Sequence, residues 1–159
     1  LAANCGAKVY LTSRRGTKVA TDYASEYNAR FGAEMYGADS GTDDAVVEFI
    51  KQSDVVIGAA KAGIQVLSKA QLGKAENLQV AADVNAVPPL GIEGVGVHDM
   101  GVELESTPQK ALGLGALAIG DIKYKVHFRM FEMMKQTDTP LYLDHERAFE
   151  VAREFAAKT

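Results

Sequence analysis

Asp54-Val55-Val56-Ile57-Gly58-Ala59 is a nearly continuous apolar run, the pattern of a strand covered on both faces in a parallel sheet. Downstream come a Gly/Ala loop, an amphipathic stretch near Ser68 to Leu72, and a second apolar strand from Val80 to Val84. Upstream, Thr42 opens a helix with Asp43 and Asp44 in its first turn, where negative charge suits the dipole, and Val46, Phe49 and Ile50 as its buried stripe. Further back, Ala7 to Thr12 alternates and is rich in β-formers, which predicts a strand. Ser13 to Gly16 is a loop. Thr17 then N-caps a helix whose apolar positions Val19, Tyr23, Tyr27 and Phe31 recur every four residues, with Gly32 closing it before a short strand around Ala33 to Tyr36. Strands alternating with helices predict an α/β fold, a Rossmann-like doubly wound parallel sheet with right-handed crossovers.

After Asn85 the alternation stops. Pro88-Pro89-Leu90-Gly91 is incompatible with regular structure, because proline lacks a donor and restricts its neighbour. Val95 to Leu104 suits an edge strand or hairpin. A Gly/Ala-rich stretch from Ala111 to Gly120 leads into a helix expected from Asp121 to about Lys135. Asp144 caps a last helix with Ala148, Phe149, Ala152 and Phe155 on its inner face.

Composition sets the class. The 159 residues are 47% hydrophobic and 24% charged, an ordinary globular mixture. A net charge of −4 supplies no broad basic surface for nucleic acid. The longest small-apolar stretch, Ala111 to Ile119, falls well short of the roughly 18 residues a membrane span needs. A single cysteine, Cys5, excludes an internal disulfide and a cysteine-cluster metal site, and fits a reducing, cytoplasmic setting. Leu1-Ala2-Ala3-Asn4-Cys5-Gly6 resembles the last turn of a helix with Gly6 as its C′ residue, and has no basic region of a signal peptide. The chain is therefore expected to be a fragment, with a strand and a G-x-G-x-x-G loop upstream of Leu1.

The chemistry is expected at the carboxyl ends of the strands. After the first strand, NAD enzymes usually place an acid for the ribose 2′-hydroxyl; this chain has Thr12-Ser13-Arg14-Arg15-Gly16-Thr17-Lys18. Hydroxyl and guanidinium donors beside a helix N-terminus suit the 2′-phosphate of NADP. The alternative is a solvated basic turn. In Gly58-Ala59-Ala60-Lys61-Ala62-Gly63 the small residues allow close approach of a ligand to the backbone, or form a plain βα turn. Asn85, before the diproline, suits a carboxamide or ribose, or else a structurally fixed turn. Lysines such as Lys123 and Lys125 are usually solvated at such positions, yet one of them could reach a phosphate or an acidic substrate. His98-Asp99 lacks a nucleophile or third group, which favours a surface or structural role, and no metal site is expected.

Ala82-Asp83-Val84-Asn85-Ala86-Val87-Pro88-Pro89-Leu90-Gly91-Ile92-Glu93-Gly94, with Ala111-Leu112-Gly113 and Ala118-Ile119-Gly120-Asp121-Ile122-Lys123-Tyr124-Lys125, resembles the methylene-tetrahydromethanopterin dehydrogenases of methylotrophic bacteria. The resemblance covers essentially the whole chain. It implies a C-terminal Rossmann lobe lacking its pterin-binding N-terminal lobe: residues 1–120 as an NADP-binding domain incomplete at its N-terminus, and 121–159 as helices returning toward the other lobe. It further implies direct hydride transfer from a methylene pterin to NADP, or NAD in some members, in formaldehyde oxidation; separately, a homo-oligomer is expected. Ser13, Arg14 and Arg15, with Lys18 beside them, match the 2′-phosphate segment. Ala59, Ala60 and Gly63 match the loop near the cofactor ribose, and Asn85 to Pro89, including Pro88, the nicotinamide end. Lys123 matches a positioning lysine near the cofactor and active site. Methylenetetrahydrofolate and shikimate-type dehydrogenases share the architecture but not this block; a non-catalytic nucleotide-binding module is the remaining alternative.

Overall fold

The computed structural model describes residues 1–156. A short 3-10 turn, Ala3–Cys5, is closed by Gly6 in the left-handed region (φ 89). Strands β1 (Val9–Ser13) and β2 (Met35–Asp39) then flank helix α1 (Thr17–Phe31). Helix α2 (Asp43–Lys51) precedes β3 (Val55–Gly58), and α3 (Lys69–Leu72) precedes β4 (Val80–Asp83). β5 (Met100–Glu103), β6 (Leu112–Leu114), α4 (Ala116–Lys135) and α5 (His145–Ala156) complete the order.

The fold is mixed α/β with parallel strands, as the alternation requires, but the strands form two sheets. β1 and β2 pair in parallel from Val9 opposite Met35 to Ser13 opposite Asp39. The second sheet has the order β3-β4-β6-β5, parallel except for β5, which runs antiparallel along the outer edge of β6. Tyr10 of β1 packs edge-on against Phe49 of α2, their ring centroids 5.4 Å apart, so the first sheet touches the helix leading into the second. The core lies beneath the second sheet, where Ile50, Leu72, Leu78, Ile92, Val95 and Leu104 are almost fully buried. Among the described residues no helix is long and apolar enough to cross a membrane.

Local chemistry explains most helix ends. Thr42 accepts the Ala45 N–H at 3.2 Å, so it caps α2 as expected. Ser68 and Gln71 form a reciprocal capping box on α3. Asp144 accepts the Glu146 and Arg147 N–H groups, both at 3.0 Å, at the start of α5.

Several expectations are corrected. Thr17 is the first helical residue of α1 rather than its cap; Gly16 takes that place at φ 93, and no side chain caps the helix. The apolar residues expected to form the helix stripe do not carry its packing. Ala20 and Ala24 are buried, while Tyr23, Tyr27 and Phe31 are at least 40% exposed. The cause is β2: a Cβ on Gly37 would lie 2.2 Å from the Thr21 backbone nitrogen, so helix and strand meet too closely for an aromatic ring between them. β2 itself starts later than expected, at Met35, which exchanges two 2.9 Å hydrogen bonds with the Asn28 side chain.

β3 is not covered on both faces, since Val55 and Ile57 are 56% and 62% exposed. α4 begins at Ala116, five residues before the expected start. Gly115 sits so close to the 96–97 backbone that its missing Cβ would fall 2.0 Å from the Gly96 carbonyl oxygen, and Gly120 is accommodated on an open face. The boundary expected between residues 120 and 121 therefore falls inside one continuous helix. In α5, Val151 is the residue fully buried, with Ala148, Phe149, Ala152 and Phe155 only half-buried.

Candidate functional site

β3, β4 and β6 are parallel, so their carboxyl ends share one edge of the second sheet. The 59–63 loop leaves that edge from β3 and the 84–91 loop from β4. The two are joined: the Gly63 N–H donates to Asn85 Oδ1 at 3.3 Å, with Gly63 at φ 75, a conformation that favours glycine. Asn85 is buried and holds its own loop as well. Its Oδ1 also accepts the Val87 N–H at 2.9 Å, and its Nδ2 donates to the Pro89 carbonyl at 3.0 Å. Asn85 thus acts as the brace of a fixed turn. The Pro88–Pro89 peptide bond is cis. Ala59, Ala60, Val84, Val87 and Pro88 are exposed, giving this edge a small, apolar outer surface.

Asp83 was not singled out from the sequence. It is 1% exposed, and its carboxylate accepts the Asn85 N–H at 3.0 Å and the Ile92 N–H at 2.9 Å. The available signal was a charged residue closing an apolar strand, with Gly58 before it and Gly91 after it; both glycines lie against this carboxylate.

In the first sheet, Ser13 ends β1 and organises the basic turn. Its hydroxyl accepts the Arg15 N–H at 3.1 Å, and its carbonyl accepts the N–H groups of Gly16 and Ser40. The Arg15 guanidinium donates to the Tyr23 hydroxyl at 3.3 Å. Arg14 is exposed, with no side-chain hydrogen bond or ion pair among the described residues. The uncapped first turn of α1 follows directly, and it contains no acidic residue. Arg14, an organised hydroxyl and free helix amides together form a donor set for an anion.

Lys18 is directed elsewhere. It pairs with Asp22 at 2.8 Å along an exposed helix face, and that hydrogen bond, reinforced by the carboxylate's charge, raises the ammonium above the ordinary lysine range. Lys123 lies in the third turn of α4, roughly 10 Å along the axis from the helix start, and no hydrogen bond joins it to the strand-end loops among the described residues. Lys125 pairs with Asp121 at 2.7 Å. Asp99 accepts the Gly96 N–H at 2.6 Å, which assigns His98-Asp99 to a turn.

Parallel strands with glycine-lined loops at their carboxyl ends give the chain an α/β architecture, in which that sheet edge, with the anion-ready turn, is the candidate site. No protein-family model matches it. Over 151 residues, 95% of the chain, it is 37% identical to an NAD(P)-dependent methylenetetrahydromethanopterin dehydrogenase of Methylorubrum extorquens, strain AM1. Over the same share it is 31% identical to the bifunctional protein MdtA of the same organism. The chain spans about half the length of these curated relatives, 50% of each.

Proposed function

We propose that this chain is the Rossmann-type, NADP-binding half of a dehydrogenase that takes hydride from methylene-tetrahydromethanopterin and leaves the methenyl form. The observation that carries the proposal is the 37% identity, over 95% of the chain, to a protein named for NAD(P)-dependent action on that pterin. Bound NADP, or NAD in its place, supplies the hydride acceptor. The donor set at Ser13, Arg14 and the start of α1 fits the adenosine 2′-phosphate. Ala59, Ala60 and Gly63 let the ribose approach the main chain closely. The 84–91 loop, with its apolar Val84, Val87 and Pro88, lines the nicotinamide end. Lys123 contributes long-range positive charge in this reading, and Lys18, paired with Asp22, flanks the turn without adding net charge.

The departing hydride leaves a carbon between two nitrogens, whose lone pairs stabilise the resulting cation. The reaction therefore asks for positioning and exclusion of water more than for an acid or a base. This suits an edge built from glycines, alanines and a braced loop. The reading extends to a homo-oligomer, supported by the exposed apolar residues of α4, and to the cytoplasm, supported by the lone, unpaired Cys5.

The test is a spectrophotometric assay of the full-length protein. Reduction of NADP with methylene-tetrahydromethanopterin is expected. Activity with methylenetetrahydrofolate alone would move the substrate assignment, and a calorimetric titration without NADP or NAD binding would replace the enzyme by a non-catalytic module.

A further inference from the structure

We infer that Asp83 is a positioning residue whose buried carboxylate sets the 84–91 loop and, through it, the nicotinamide end of the site. The inference rests on the dehydrogenase reading above. Asp83 has no cationic partner among the described residues; its two oxygens each hold one main-chain N–H. Those donors belong to Asn85 and Ile92, at the entry and exit of the loop, so one side chain closes the loop at both ends. Only an acceptor-only group can do this with both atoms, because an amide in its place would turn a donor toward one N–H.

The surroundings are shaped to the carboxylate. A Cβ on Gly91 would lie 2.6 Å from Asp83 Oδ1, and one on Gly58 3.2 Å from it. The Gly58 carbonyl also accepts the Val84 N–H at 3.0 Å, fixing the first residue beyond the strand. From Asn85 the chain of bonds continues through its side chain to Val87, Pro89 and Gly63. Asp83 therefore orders both loops while lying beneath the surface, out of reach of a ligand. A misplacement of about 1 Å at a reacting centre costs on the order of a hundredfold in rate, and Asp83 governs that placement.

The experiment uses the full-length protein and Asp83→Asn, with adenosine 2′,5′-bisphosphate as a probe of the adenosine end alone. The expected result is a split: bisphosphate affinity within about twofold of the parent, while kcat with NADP falls about ten- to a hundredfold. Gly91→Ala, which crowds the carboxylate without removing it, serves as the second variant and should give the same split if Asp83→Asn fails to fold. Unchanged kcat in a folded variant overturns the inference, and so does an equal loss for bisphosphate and NADP, which marks a general structural role. A parent protein that binds neither ligand overturns the dehydrogenase reading instead.

Discussion

Arg14 and Arg15 are adjacent but differently engaged. Arg15 lends its backbone N–H to Ser13 Oγ and its guanidinium to Tyr23, whereas the Arg14 side chain has no hydrogen-bond or ion-pair partner among the described residues. A guanidinium already bonded must exchange that partner for a ligand; one facing solvent gives up only water. If the turn holds a 2′-phosphate, as proposed, Arg14 is therefore the better placed of the two to meet it. Charge-assisted contacts are worth roughly 1.5–3 kcal/mol, so Arg14→Ala should weaken NADP about ten- to over a hundredfold and leave NAD nearly unchanged. Arg15→Ala should cost less, since Tyr23 shares its guanidinium. Calorimetric dissociation constants for both cofactors check this; equal losses of NADP and NAD in Arg14→Ala would remove Arg14 from phosphate recognition.

At the scale of elements, the contact between α1 and β2 is set by one missing side chain. A Cβ at Gly37 would meet the Thr21 nitrogen at 2.2 Å and the Ala20 carbonyl carbon at 2.6 Å, both backbone atoms that cannot rotate away. Gly37→Ala must push the helix off the strand, and should cost about 1–3 kcal/mol or more in chemical denaturation. A variant as stable as the parent would mean that the helix shifts freely. The same contact shows what could be read from the sequence. Element order was legible, because periodicity and turn residues act locally; Thr42, Gly32 and Asp144 mark their helix ends as expected. Which face of α1 packs was not, because Gly37 decides it from another element. The 116–120 turn of α4 was hidden for a related reason: its start depends on contact of Gly115 with the distant 96–97 backbone. Within the site, Asn85 and Gly63 were visible as residue types, while the hydrogen bond joining them spans 22 positions and came only with the fold. The sequence alone does not set Asp83 apart from its neighbours, since its partner Ile92 lies nine residues on.

At the scale of the molecule, two surfaces are unusually apolar. Val55 and Ile57 are exposed on β3; among the described residues β3 pairs only with β4 and β1 only with β2, which leaves each sheet an open strand edge. Along α4, Leu117, Tyr124, Phe128, Phe131 and Met134 are 47–69% exposed. Open edges invite pairing with another chain, and contiguous apolar patches invite burial. The 159 residues by themselves are therefore expected to associate as their concentration rises, measurable as a growing mean mass in light scattering. Two double variants identify the driving surface. If strand pairing dominates, Val55→Lys with Ile57→Lys should hold the mass near that of a monomer. If the helix dominates, Phe128→Lys with Phe131→Lys should do so, and the strand variant should not. The helix is favoured, because its side chains can bury a large apolar area at once, at about 25 cal/mol per Å². A short edge strand contributes few hydrogen bonds, each already satisfied by water. A monomer mass for the unsubstituted chain at every concentration would show that neither surface draws a second copy.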